Sequence, residues 1–559
     1  MAAPLRSVNC SVHLPPFLLA GLIAIPLLWM TALAVAEGLN LTAWQTLWGA
    51  PQLPQALALS LWTGLTATGT SVAFAAWLLS RSFPGPLWER SVKTLSPLLA
   101  VPHAAFAIGF AFLIAPSGWL LRVLSPWATG FDAPPPWPTT QDPWGLGLIA
   151  VLVAKEVPFL LWAAATQLQR ADVGLRLSRE LDVARSLGYA PHNAWWRVLW
   201  PQLWPRLTGP ALAVLAYSLT VVDMALVIGP TSPPTLALLA WQWLVDADAT
   251  VNAQGAAAAW LLALVVGCLA VALWSLCRWV LGRSRWVDGG RGKLSSKSKR
   301  TKVTATTPHR LLIGLYVSVM MGLAVGSVAG VWPFPQLWPT SLSLQAWQSV
   351  ATSADTLGTT LLLGLCSSAT ALVWVVAWLE CATPAWHVPL RRLIYLPLLL
   401  PSVLWVVGLH RLSLAWGVDA TVTGLWIAHT LAVLPYVLIA LCPAYQGFDV
   451  RYGQIAASLR QSRWSFLMQV KWPLLKAALG SAFAVGFAVS VAQYLPTLFV
   501  GAGRFTTVTT EAVTLASGAQ RSLTAAYAWL QWLLPALMFG VAAWAGRPRR
   551  FRPSTPVRL

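Results

Sequence analysis

Charge is what this sequence has least of. Only 10% of its 559 residues are Asp, Glu, Lys or Arg, and 17 of those are acids, where a soluble globular domain carries about 25% charged residues. Beside 57% apolar residues and 35 tryptophans, that scarcity excludes a water-soluble fold. Cysteine is sparse as well. Cys10, Cys268, Cys277, Cys366, Cys381 and Cys442 fall in apolar runs or on one expected side of a membrane, so no disulfide framework is implied. Catalytic signatures are missing too. A phosphate-binding loop needs GxxxxGK[ST] behind a strand, and the nearest approach, Gly292-Lys293-Leu294, lacks the first glycine and the hydroxyl. There is no HExxH, no CxxC pair and no serine nucleophile elbow. Neither catalysis nor a cofactor or metal site is expected of this chain.

What is present is a series of long apolar runs. A bilayer core about 30 Å thick needs about 20 apolar residues in a helix, and about twelve runs reach that length. They cover roughly 17–36, 56–80, 95–115, 145–168, 207–229, 256–281, 311–332, 356–379, 393–412, 422–441, 477–501 and 525–546. The formal charge of +20 could mark a nucleic-acid partner, but its placement argues against one. If the N-terminus is inside, only Arg122, Arg411, Arg504 and Arg521 lie outside and Lys155 lies within a run; the other Lys and Arg residues gather on the inner side. This bias predicts an all-α polytopic membrane protein with both termini cytoplasmic, surrounded by lipid. Ala34-Val35-Ala36 imitates a signal-peptidase site, but the preceding apolar run is too long for a signal core, so an uncleaved first helix is expected.

Residues 283–310, RSRWVDGGRGKLSSKSKRTKVTATTPHR, are the only long stretch without apolar character, and read as a solvated basic connector. It divides the runs evenly into domains 1–282 and 311–559. The halves repeat. DVARSLGYAPHNAWWRVLWP (182–201) and QIAASLRQSRWSFLMQVKWP (454–473) align without gaps at an offset of 272 residues, matching Ala184/Ala456, Ser186/Ser458, Leu187/Leu459, Val198/Val470, Trp200/Trp472 and Pro201/Pro473. Upstream, Pro102 faces Pro401 and Pro158 faces Pro435. Both halves begin on the same side, so the repeat is parallel. Each segment reads as a short amphipathic helix, a break, a second helical stretch and a proline that starts the next run. In the first copy Gly188 supplies the break, because glycine takes a left-handed conformation at no steric cost.

That spacing resembles the EAA signature of membrane permeases of binding-protein-dependent ABC importers: Glu-Ala-Ala, three residues, Gly, nine residues, Ile, any residue, Leu, Pro. Asp182, Val183, Ala184, Gly188, Val198, Trp200 and Pro201 hold those positions in the first copy. Gln454, Ile455, Ala456, Val470, Trp472 and Pro473 hold them in the second, with Arg460 where the glycine belongs. The chain is similar to the fused, two-copy permeases of the ferric-iron and thiamine importer group. The resemblance implies the type I importer permease fold in a bacterial inner membrane, two cytoplasmic ATPase subunits and a periplasmic substrate-binding protein. It also implies that Asp182, Ala184, Gly188 and Pro201, with Gln454, Ala456, Arg460 and Pro473, form the ATPase-coupling loops. Because arginine is costly at positive φ, the second turn is expected to be reshaped or its docking to be weaker.

Ionisable groups inside runs are functional candidates. Lys155 and Glu156 precede Pro158 within the fourth run and read either as a polar lining of the pore or gate or as buried structural charges, paired with Asp223 or with a carbonyl freed at that proline. Asp223 and Gln493 are candidates for the path lining, while His103, His410 and His429 stand singly and read as packing residues. Tryptophan-rich outer segments such as 116–144 suit interface anchoring. The competing function is a gradient-driven secondary transporter of six-plus-six architecture. It would place a GxxxDRxGRR-like element after the second run, where this chain has RSFPGPLWERSVK.

Overall fold

The computed structural model describes residues 16–284, 307–518 and 520–547. Most of the basic connector, Cys10 and the last arginines of the tail lie outside the described residues. The principal helices of the first half are α1 (Pro16–Gly38), α2 (Leu53–Ser82), α3 (Pro86–Leu99), α4 (His103–Ile114), α5 (Leu146–Leu168), α6 (Ala171–Ser186), α7 (Trp200–Thr220), α8 (Asp223–Ile228), α9 (Leu236–Leu244) and α10 (Ala249–Ser284). Those of the second half are α11 (Thr307–Ser327), α12 (Ala354–Cys381), α13 (Pro384–Ile394), α14 (Ser402–Ala415), α15 (Val422–Gln446), α16 (Val450–Ser458), α17 (Lys476–Val491), α18 (Leu495–Gly501), α19 (Val508–Ala516) and α20 (Arg521–Gly546). The order repeats, with α1 answering α11 and so on through α10 and α20. The protein is an all-α polytopic membrane protein built as a tandem repeat.

Eight helical stretches are long and apolar enough to cross a membrane, or ten when two bent pairs each count as one span. The remaining expected runs, 56–80 and 207–229, fall on α2 and on α7 with α8. They are helical but more polar: α2 buries Ser60, Thr63, Thr68 and Ser71 where it packs against α5 and α7. Four expected runs are not continuous. Those at 95–115 and 393–412 break at Pro102 and Pro401, whose backbones are extended at φ −61°, ψ 149° and φ −51°, ψ 135°. Proline has no N–H for the preceding helix and disfavours helical geometry in the residue before it. The runs at 207–229 and 477–501 break at residues 221–222 and 493–494, again 272 apart.

The halves are interlocked by their first helices. Helix α1 packs on α13 and α14 of the second half, and α11 packs on α3 and α4 of the first. One glycine at each crossing permits the approach. A Cβ on Gly408 of α14 would stand 2.5 Å from the Met30 carbonyl oxygen, and one on Gly109 of α4 would stand 2.7 Å from Val319 Cγ1. Each glycine lies seven residues after its matched proline, Pro401 or Pro102. Small residues admit close helix contact in lipid, where packing replaces the hydrophobic drive.

At the end of the bundle opposite the repeated loops, two arginines tie the halves together. Arg411 Nε lies 2.7 Å from Glu37 Oε1 at the end of α1. Arg122, buried, donates to the carbonyls of Pro333 (2.7 Å), Gln336 (2.6 Å) and Trp332 (3.1 Å) just beyond α11, with its guanidinium 4.8 Å over the Trp332 ring. A buried cation requires such partners.

Candidate functional site

The two repeated segments fold alike. Helix α6 ends at Ser186, Gly188 takes φ +89°, and the turn closes through Leu187 N–H to Val183 O (3.0 Å), Gly188 N–H to Arg185 O (3.0 Å) and Tyr189 N–H to Ala184 O (3.1 Å). Helix α16 ends at Ser458, and the corresponding bonds run from Leu459 to Ile455, Arg460 to Ala457 and Gln461 to Ala456, each 3.0 Å. Arg460 itself takes φ +55°. The expected reshaping of the second turn therefore does not occur. Three closing hydrogen bonds to otherwise orphaned carbonyls outweigh a left-handed cost of about 1–2 kcal/mol. Beyond each turn comes one short helical piece and a π-helical turn, at Trp195–Leu199 and Leu467–Lys471. Pro201 and Pro473 then occupy the first turn of the next helix.

Placement divides the eight sequence candidates. Ala184 and Ala456 are buried under their helices, while Asp182, Gly188, Gln454 and Arg460 face outward. Asp182 pairs with Arg185 at 3.4 Å. At the start of α6, hydrogen bonds from Arg170 hold the Asp172 carboxyl below the usual carboxylate range. The outward apolar residues at matched register were noted in the sequence as repeat or signature positions but given no docking role. Val183 and Ile455 are 58% and 56% exposed, and Leu187 and Leu459 are 70% and 66% exposed. A groove of about 750 Å³ opens beside the first loop, bordered by Arg176, Arg179, Val183, Leu187 and Arg197. The signal for these residues was in the sequence: a large apolar side chain at two matched positions, one in the last turn of the loop helix and one at its C-cap.

The other candidates lie within the bundle. Asp223 opens α8 just after the 221–222 break, and Gln493 sits in the corresponding break before α18. Both line one cavity of about 290 Å³ at the junction of the halves, with His103, Tyr217, Trp405 and Tyr436. The first turn of a helix, where backbone N–H groups are unsatisfied, suits the Asp223 carboxylate. The Gln493 side chain donates to Val489 O at 3.1 Å. Lys155 and Glu156 do not line this cavity; they stand behind it. Lys155 Nζ donates to Val101 O at 2.7 Å and lies 5.5 Å and 5.6 Å from the Phe106 and Tyr316 ring centres. Its partner is thus neither Asp223 nor a carbonyl at Pro158 but the carbonyl exposed by the break at Pro102. Glu156 Oε1 lies 3.9 Å from His103 Nε2, whose ring packs on Tyr217 at 4.8 Å. His103, set aside from sequence as a packing residue, therefore belongs to the cavity wall. His429 does pack, between Ser490 Oγ (2.8 Å) and Thr497 Oγ1 (3.0 Å). Among the described residues no three His, Cys, Asp or Glu side chains gather as metal ligands.

No protein-family model matches the chain. The chain is 36% identical over 561 residues to the inner membrane ABC transporter permease protein YnjC of Escherichia coli strain K12, an alignment covering 98% of this chain and 99% of that protein. A stretch of 108 residues, 19% of this chain, is 26% identical to the spermidine/putrescine transport system permease protein PotC of Haemophilus influenzae, covering 42% of it. Against PotC of Escherichia coli strain K12 the identity is 23%, again over 108 residues and 41% of that protein.

Proposed function

The chain belongs to the fused two-copy permeases of ABC import systems, and from that premise we propose how it couples to its partners. It is the transmembrane component, and such permeases work with ATPases and a binding protein. In our reading, residues 1–282 and 311–559 are the two permease halves and 283–310 tethers them. The loop end is cytoplasmic, as are both termini, in a bacterial inner membrane. Two ATPase subunits dock there, one on 182–201 and one on 454–473, while a periplasmic binding protein delivers a small solute to the opposite face. ATP itself is bound and hydrolysed by those partners.

The carrying observation is that both loops present the same turn and the same pair of outward apolar side chains, 272 residues apart. A symmetric ATPase pair requires two equivalent footholds on one chain. Val183 with Leu187, and Ile455 with Leu459, supply the contact. Ala184 and Ala456 hold each helix down, Gly188 and Arg460 set the turn, and Pro201 and Pro473 start the helices α7 and Trp472–Leu474. The path runs along α7 toward the break beside Asp223, and from Trp472–Leu474 through a 75° bend and along α17 toward the break beside Gln493, so movement of a loop reaches the cavity wall. Asp223 and Gln493 line the path. Lys155 and Glu156 support it from behind, Lys155 by fixing the α3–α4 break and Glu156 by holding His103.

The test is co-purification of the chain with its partner ATPase after Ala184→Trp and Ala456→Trp, which overfill buried sites. Loss of assembly, with the permease still monodisperse, is expected. An intact, binding-protein-stimulated complex from the double variant overturns the docking assignment. Uptake driven by a proton gradient without any ATPase would restore the secondary-transporter alternative, which the permease relatives disfavour.

A further inference from the structure

The second loop is fastened to the ends of two membrane helices by a carboxylate ion-paired to it, and among the described residues the first loop has no such ion pair. Glu380 is the penultimate residue of α12, and its side chain is only 13% exposed. Lys471, from the π-helical turn, makes a salt bridge with Oε1. Arg463, from the short helix Arg463–Phe466, donates to Oε2 at 2.9 Å and to the backbone carbonyl of Glu380 at 2.8 Å. Tyr445, at the end of α15, donates its hydroxyl to Oε1 at 2.6 Å and receives the Trp472 indole N–H at 3.1 Å. The Lys471 ammonium also lies 4.1 Å from the Tyr445 ring centre. One carboxylate therefore joins the ends of two transmembrane helices to two successive pieces of the loop, and through Tyr445 to a third at Trp472.

In the first loop, the positions 272 residues earlier are Pro191 and Leu199 in place of Arg463 and Lys471. That loop is held instead by packed indoles, Trp195 on Trp200 at 5.6 Å and Trp200 on Trp204 at 5.4 Å, and by neutral Gln202 at the start of α7, which donates to Glu180 and accepts from Arg176 of α6 at 3.5 Å. Ring packing resists compression but yields to sliding. A charge-assisted, multiply bonded carboxylate fixes direction as well as distance, and a half-buried pair is costly to break on one side alone.

We propose that Glu380 is the positioning residue that makes the second loop, α12 and α15 move as one body, so that ATPase closure acting on 454–473 is delivered to the cavity wall. This rests on the docking reading above. The chain of contact continues from Lys471 through a 75° bend into α17 and on to Gln493 at its far end. In Glu380→Gln the ion pairs are lost while the shape and the tyrosine contact remain. The loop still binds the ATPase, but its motion is no longer passed on.

The experiment uses the full complex of permease, ATPase and binding protein, in a cysteine-free background with spin labels at Ser458 and Val373, on the loop and on α12. With Glu380 intact, the Ser458–Val373 distance distribution is the same with and without ATP and vanadate, while a second label pair across the cavity, Ala213 to Ala432, shifts between the two states. In Glu380→Gln the first distribution broadens on trapping, the second stops shifting, and binding-protein-stimulated hydrolysis falls about tenfold, the loss of about 1.4 kcal/mol, at unchanged basal hydrolysis and assembly. The exchange Glu380→Lys with Lys471→Glu restores stimulation in part. If Glu380→Gln fails to assemble, Lys471→Gln, which keeps Arg463 and Tyr445 on the carboxylate, is read the same way. An unchanged distance and full stimulation in the variant overturn the proposal. No nucleotide-dependent shift across the cavity of the intact complex overturns the docking reading instead.

Discussion

The loops at 182–201 and 454–473 close on the same three backbone hydrogen bonds, yet a glycine stands in one left-handed position and an arginine in the other. Their surroundings differ in the same sense. The first loop is wrapped in tryptophan and carries no ion pair to a membrane helix among the described residues, whereas the second is tied to α12 through Glu380. The comparison separates what the motif must keep from what it can exchange. Kept are the turn geometry, the buried alanine and the outward apolar pair. Exchangeable are the residue that takes positive φ and the means by which the loop is anchored.

The largest effect is expected from removing what the loops share. Leu187→Asp with Leu459→Asp places a charge in each foothold and should abolish co-purification with the ATPase, while either single change leaves a complex attached at one loop. Equal loss from both singles would mean that the footholds act as one unit. The crossing glycines come next. Gly408→Leu drives a side chain into the Met30 backbone, which cannot yield, and should destabilise the chain by about 1–3 kcal/mol, read as a lower unfolding temperature in detergent. Gly109→Leu should cost less, because its two nearest neighbours are side-chain atoms of Val319 and Leu323 and the closest backbone atom, Val319 O, stands 3.0 Å away against 2.5 Å for Met30 O at Gly408. The reverse ranking would show that the α4–α11 crossing is the stiffer of the two.

The apolar runs, the positive-inside bias and the tandem repeat were legible because each depends on local composition or on spacing along the chain. The breaks were half legible. Pro102 and Pro401 were seen as matched, but in a continuous apolar run nothing local says whether a proline kinks a helix or ends it. Asp223 and Gln493 were found because polar residues inside a bilayer are rare; that they share one cavity depends on how the halves cross. Glu380 was invisible for the opposite reason. It is one acid at a helix end, and its partners Lys471 and Arg463 lie 91 and 83 residues away, indistinguishable beforehand from other basic residues of a cytoplasmic loop. Gly109 and Gly408 went unread because a glycine in an apolar helix is unremarkable until the opposing backbone is known.

The finest distinction between the loops is also the most direct to test: exchange the residues at the left-handed position. Arg460→Gly removes a left-handed cost of about 1–2 kcal/mol but frees the unfolded chain, which returns about 0.4–1 kcal/mol. The net stabilisation should lie between zero and about 1.6 kcal/mol, a small rise in unfolding temperature. Gly188→Arg should move the temperature by a similar amount the other way, because the closing bonds from Tyr189 and Leu187 use backbone alone and survive the change. Both variants should still assemble with the ATPase. If Gly188→Arg prevented assembly while Arg460→Gly changed nothing, the side chain at that position would be part of the contact surface in the first loop only, and the footholds would differ in chemistry rather than in strain.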